Sequence, residues 1–210
     1  MHPEQIRGFA DLVTHPGVAA LSAQVLGPDY QVVELGFDVP LAGALDQPWH
    51  RDFRTPDVTA RTGRLDSLAF NVTTVDVTPD LAPLEVAPGT QFDDGSDYDH
   101  GMFPKPEAYK RFTDLASRRH PRRGDVSART GLMIHRGTAN HSERSRAVLI
   151  LGVVAAELDP ALTAVHDLTV SRRYWDTLSS ELQSHLRCTV VEELQPIIQK
   201  HDIEGLMMGG

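Results

Sequence analysis

Pro48-Trp49-His50-Arg51-Asp52-Phe53 and, further along, Ile134-His135-Arg136-Gly137-Thr138-Ala139-Asn140-His141-Ser142 are the stretches around which the chain is organised. On an extended strand, residues two apart share a face, so His50 and Asp52 point the same way. His135 adds a second imidazole. Two imidazoles and one carboxylate that leave coordination positions open form the facial triad typical of non-haem Fe(II) sites. In a chain with ten histidines a His-x-Asp pair alone carries little weight. The residues C-terminal to His135 add the rest.

Eleven residues after His135, Arg146 opens the apolar run from Ala147 to Ala155. A strand ending near His135, a polar loop and a strand starting near Arg146 predict a hairpin that holds the arginine near the metal. A 2-oxoacid chelating through its C1 carboxylate and C2 oxygen leaves a second carboxylate deeper in the pocket. A planar guanidinium suits that carboxylate through paired, charge-assisted hydrogen bonds. His141 rivals His135 as the distal ligand, but only five residues separate it from Arg146, too few for two paired strands and a turn. His135, at a strand end after Leu132-Met133-Ile134, is the better ligand.

The pattern His-x-Gly-x-x-Asn-x-Ser-x-x-x-Arg, from His135 to Arg146, resembles the signature of the phytanoyl-CoA dioxygenase family. Trp49-His50-Arg51-Asp52, Pro83-Leu84-Glu85-Val86-Ala87-Pro88-Gly89-Thr90 and Gly124-Asp125 share the same resemblance, which spans about residues 14–155. Gln91 stands where that family usually has histidine. The resemblance implies a double-stranded β-helix, a jelly roll, flanked by N- and C-terminal helices. It also implies Fe(II) on His50, Asp52 and His135, 2-oxoglutarate paired with Arg146, O2 as co-substrate, and a small-molecule metabolite hydroxylated as succinate and CO2 are released. Two other readings stay open: a cupin-like metal dioxygenase or isomerase without 2-oxoglutarate, which leaves Arg146 no task, and a metal-free jelly-roll binding module. Neither the substrate nor the oligomeric state is legible.

At 210 residues one domain is expected, with its core over about residues 30–156 and a helical extension over about 157–210. A net charge of −9 opposes a nucleic-acid partner, which would require a basic surface. The longest apolar run, ten residues from Ala147 to Ala156, is too short to cross a membrane. The start of the chain reads as no signal peptide, and the single Cys188 has no disulfide partner, so a reducing cytoplasm is the expected compartment. Cys188 itself reads as a buried, inert thiol on a helix.

Helices are predicted over residues 3–13, 16–26 and 107–117, and strands over 30–39, 47–53, 65–77, 84–86, 126–130, 132–135 and 146–155. Within the long run, Asn71, Thr73 and Val75 share one face and Phe70, Val72 and Thr74 the other. If the first set faces the interior, Asn71 and Thr73 need polar partners there, and the cosubstrate is one candidate, protein or buried water another. The acidic stretch Asp93–Phe103 reads as a mobile insertion able to act as a lid, and Arg118–Arg123 as a solvated loop. Leu178, Leu182, Leu186, Val190, Leu194 and Ile198 step by four, which predicts C-terminal amphipathic helices broken at Pro196. The remaining histidines, among them His15, His100, His120, His166, His185 and His201, lack ligand spacing and are expected at the surface. Arg51 should point away from the metal, and Trp49 and Phe53 should pack.

Overall fold

Prolines sit where the first helices begin, and the structure, a computed structural model that describes residues 2–162 and 168–197, shows why. After α1 (Phe9–Val13), α2 (Pro16–Leu26) opens on Pro16, whose missing N–H is no loss in a first turn. His15 caps it, its Nδ1 accepting the Gly17 N–H at 3.1 Å. The chain then forms β1 (Gln31–Asp38), α3 (Asp57–Thr62), β2 (Ser67–Thr73), β3 (Leu84–Val86), α4 (Tyr109–Leu115), β4 (Ser117–Arg119), β5 (Val126–Arg129), β6 (His135–Gly137) and β7 (Val148–Val154).

Two antiparallel sheets result, one ordered β1-β7-β2-β5 and one ordered β4-β3-β6. Alternation along β2 decides which face does what. Leu68 and Phe70, with Leu149, Leu151 and Val153 of β7, bury against Phe9, Val13, Val18 and Leu26 of the N-terminal helices. Each such side chain contributes roughly 1.5–3 kcal/mol on leaving water. Asn71 and Thr73 turn to the opposite face, as their alternation predicts. There a cavity of about 370 Å³ is lined by Asn71, Ser127 and Arg129 of the first sheet and by Leu84, Val86 and Arg119 of the second. A narrow crevice sharing Asn71, Leu84, Arg119 and Ser127 carries on to Thr73 and Arg146.

Several expectations are corrected. Residues 47–53 form no regular strand; His50 makes a single antiparallel bridge to His135. Strand β6 does not make a hairpin with β7: β6 pairs with β3, while β7 lies in the other sheet between β1 and β2. The cause is Asn140, whose Nδ2 donates to the carbonyls of Pro40, Leu41 and Arg144 and turns the chain across to the first sheet. The Arg118–Arg123 run is partly strand, with Arg118 donating to Glu85 at 2.7 Å.

The C-terminal segment departs most. It forms β8 (Thr169–Ser171), α5 (Arg172–Trp175), α6 (Ser180–Ser184) and β9 (Thr189–Val191), so among the described residues no long amphipathic helix is present. Ser171 and Ser179 each cap a new short helix through their side chains, and Val190 pairs with Val170 in a parallel ladder. Leu182 and Leu186 nonetheless bury in the main core, which covers the outside of the larger sheet. Cys188 therefore stands just before a strand rather than on a helix, and His185 is half-buried, stacked on the Tyr30 ring. Ile198, His166 and His201 lie outside the described residues.

Candidate metal centre

His50 and His135 exchange backbone hydrogen bonds, His50 N–H to His135 O at 3.0 Å and His135 N–H to His50 O at 2.9 Å. Residues so paired across two extended segments project side by side, and their rings stand 4.4 Å apart between centroids. Two residues on, the Asp52 N–H bonds Gly131 O at 2.8 Å, which holds the carboxylate on the same side. Gly131 is required there, since a Cβ would lie 2.8 Å from the Phe53 ring and 3.1 Å from Asp52 Oδ2. One ligand atom each from His50, Asp52 and His135 lie within 4.8 Å of one another.

The donor chemistry fits a divalent cation. His50 Nδ1 lies 2.9 Å from Pro48 O and His135 Nδ1 lies 2.8 Å from Met133 O. A carbonyl can only accept, so each Nδ1 carries a proton, which leaves Nε2 as the nitrogen each ring can offer a metal. Burial, helped by the neighbouring His135, pushes His50 down to about 4, so it is neutral at physiological pH. Burial alone would raise the Asp52 carboxyl, but Arg129 and then His135 outweigh it and hold the group below the ordinary carboxylate range. Asp52 Oδ2 accepts from Arg129 Nη1 at 2.7 Å, while Oδ1 lies 3.3 Å from His135 Nε2. The result is a neutral His50 imidazole and an ionised Asp52 carboxylate, with the His135 Nε2 turned to the same point.

His141 is exposed and stands outside this cluster, its N–H bonded to Asp80 O. Arg146 is 4% exposed and donates through Nη2 to Asp38 at 3.1 Å, while its Nε has no partner among the described residues. Asn71 Oδ1 is likewise buried without a partner, and Thr73 is buried on the same crevice. Gln91 only closes its own turn, accepting from Gly89 N–H. Trp49 packs on Phe112 and Ile134 beneath the Arg136 guanidinium.

Arg51 points away from the ligands and is fully buried, its guanidinium 4.8 Å from the Tyr98 ring centroid and bonded to Asp93 O. Its N–H also bonds Met102 O, and Asp93 forms an ion pair with Arg111. The acidic stretch expected to be a mobile lid is therefore tethered at both ends to the residue between the two ligands. Phe103, at its end, stacks 6.1 Å from His50.

Arg129 is a site residue that the sequence does not single out. The one available signal is a charged residue ending a short strand six residues before His135. Glu85, buried between Arg118 and Arg136, and Arg119 on the cavity wall are equally silent in the sequence.

The chain is a β-protein of two antiparallel sheets with flanking helices and a candidate His–Asp–His metal site, whose Asp52 partner Arg129 lines the cavity between the sheets. The chain matches the phytanoyl-CoA dioxygenase family model over residues 2–148 and belongs to that family. No curated protein sequence matches it significantly. Among solved structures it is similar to EctD from S. alaskensis with 2-oxoglutarate and 5-hydroxyectoine, at 21% identity and a TM-score of 0.56 over 70% of this chain and 52% of that one. The non-heme monooxygenase ThoJ in its Ni complex gives 19% identity and 0.54 over 72% and 56%. AviO1 from Streptomyces viridochromogenes Tue57 gives 18% and 0.53 over 76% and 67%. These likenesses establish a shared fold. The chain spans about half the length of EctD and ThoJ.

Proposed function

We propose that the protein is an Fe(II)- and 2-oxoglutarate-dependent oxygenase that hydroxylates a C–H bond of a small-molecule metabolite. It works as a single domain whose facing sheets form a double-stranded β-helix. The carrying observation is the His50–Asp52–His135 cluster, with both imidazoles presenting Nε2 and the carboxylate ionised. The cavity lined by Arg129, the partner of Asp52, continues as a crevice to Arg146, a buried guanidinium with an unused N–H. When bound, iron supplies the coupling of O2 reduction to oxidative loss of CO2 from the 2-oxoacid, giving succinate and an oxidised substrate.

The chain's own groups bind and orient. Arg146 receives the distal carboxylate of 2-oxoglutarate, and the Thr73 hydroxyl and the Asn71 amide, turned to present its NH2, donate to the same molecule. Family membership and the fold shared with EctD bound to 2-oxoglutarate support this assignment. Asp52 would serve as the carboxylate ligand in place of a halide, so transfer of oxygen rather than halogen is the expected outcome. Among the described residues no helix is long and apolar enough to cross a membrane. A cytoplasmic site suits the free Cys188 thiol.

The test is succinate release from 2-oxoglutarate by anaerobically iron-loaded protein exposed to O2 with a library of small metabolites. Iron-dependent succinate that rises with one compound, together with a one-oxygen mass gain in that compound, supports the reading. No iron-dependent turnover of 2-oxoglutarate, with or without the library, contradicts it.

A further inference from the structure

Arg129 is the one cation that touches a ligand of the candidate metal site among the ion pairs of the described residues. It ends β5, on the edge of the larger sheet, and its register opposite Ala69 of β2 sets where its side chain leaves the strand. Nη1 donates to Asp52 Oδ2 at 2.7 Å, with only 11% of the Arg129 side chain exposed. The other carboxylate oxygen, Oδ1, faces His135 Nε2 at 3.3 Å. Two residues past Arg129, Gly131 accepts the Asp52 N–H and leaves room for the carboxylate. The turn between Thr130 and Gly131 is itself fixed, since Thr130 Oγ1 accepts the Leu132 N–H and lies 3.4 Å from Ser67 Oγ. A single short segment therefore fixes both the backbone and the outer oxygen of Asp52.

We infer that Arg129 is a positioning residue that ties up Asp52 Oδ2 and so makes Asp52 a one-oxygen metal ligand through Oδ1. This rests on the reading of His50, Asp52 and His135 as a divalent-metal site. A carboxylate free to rotate can chelate with both oxygens and take a position the reaction needs for its other partners. A guanidinium on one oxygen prevents that with directed, charge-assisted bonds. It also selects the carboxylate rotamer that faces the two imidazoles. Partners of this kind, one bond removed from the metal, typically change affinity by about 10–100-fold when lost.

The sign of the effect makes the idea testable. Arg129 is a positive charge beside a cation site, so if it acted by charge alone its removal would tighten metal binding. If it acts by orientation, removal weakens binding. Full-length apo protein, Arg129→Met and Arg129→Lys are titrated with Co(II) by calorimetry, and the Co(II) absorption spectrum is recorded for each. Circular dichroism and thermal unfolding of the apo forms confirm the fold.

Arg129→Met should bind Co(II) about 10–100-fold more weakly with an altered spectrum. Arg129→Lys, which keeps a donor that can reach Oδ2, should recover part of the affinity and a spectrum closer to wild type. Equal or tighter binding with an unchanged spectrum in a folded Arg129→Met overturns the inference. If Arg129→Met does not fold, Arg129→Lys decides: a spectrum and affinity indistinguishable from wild type while its pairing to Asp52 is absent in a crystal structure overturns it. Absence of Co(II) binding by the wild type removes the metal-site reading itself and the inference with it.

Discussion

Arg146→Met separates a ligand-binding arginine from a structural one. The guanidinium is buried, its Nε lacks a partner among the described residues, and its ion pair is to Asp38, whose side chain stays 39% exposed. Burial weakens its hold on its proton, with Asp38 opposing only in part. An under-bonded buried cation contributes little net stability, and an apolar side chain of similar length replaces it at small cost. Asp38, once alone, remains solvated. The expected change in unfolding free energy is therefore within about 1 kcal/mol, measured by urea denaturation.

Binding should behave differently. A desolvated carboxylate that loses its guanidinium costs about 2–5 kcal/mol, or about 30- to 5,000-fold in the Kd for 2-oxoglutarate on Mn(II)-loaded protein. Linkage gives a second readout. At 2-oxoglutarate 100-fold above its wild-type Kd, wild type gains about 2.7 kcal/mol of stability, and the variant gains about 0.9 kcal/mol or less at the same concentration. A variant destabilised by several kcal/mol but with unchanged 2-oxoglutarate affinity would show that Arg146 serves Asp38 and the fold.

Glu85 gives a pH signature. Burial pushes its carboxyl up, but the Arg118 and Arg136 hydrogen bonds prevail and hold it below its ordinary 4.5. A depressed folded value means the stabilisation is complete above about 4.5 and is lost as pH falls through the lower folded value. Glu85→Gln should therefore lose about 1–3 kcal/mol at pH 7, and the gap to wild type should close in acid; a gap independent of pH down to the acid limit of the fold would refute the pairing. Cys188 is half-buried beside the main core, and burial pushes its thiol up to about 11. At pH 8 its thiolate fraction is then roughly 1 in 1,000, so iodoacetamide should label it at least ~100-fold more slowly than an exposed thiol. A rate within tenfold of a free thiol would contradict that burial.

The pairing of the candidate ligands His50 and Asp52 is legible in the sequence because their relation is local. A spacing of two puts His50 and Asp52 on one side even though the segment forms only one bridge rather than a strand. His135 and Arg146 are legible through a family resemblance, but their connection is not, because spacing along the chain does not say which strand is a partner. Asn140 sends the chain from one sheet to the other, and that turn is written in three side-chain bonds to carbonyls, two of them on residues far away in the chain. Arg129 is invisible for the same reason: Val126-Ser127-Ala128-Arg129 reads as an ordinary edge strand until its register places the last residue on Asp52. The C-terminal step of four is compatible with a helix, yet Ser179 restarts the chain and the Val170–Val190 pairing takes the rest into a ladder. Periodicity picks out Leu182 and Leu186 as buried and misses the backbone that buries them.

If His50, Asp52 and His135 hold iron so that a 2-oxoacid can chelate it while Arg146 grips the far carboxylate, anaerobic titration reads the arrangement directly. The apo protein is titrated with Fe(II) in excess 2-oxoglutarate, and the visible charge-transfer band that arises only when the 2-oxoacid chelates iron is followed. The expected band saturates at one iron per chain, is absent in His135→Ala and survives in His141→Ala. A wild-type protein without the band, or a His135→Ala variant that retains it at full intensity, would contradict the assignment.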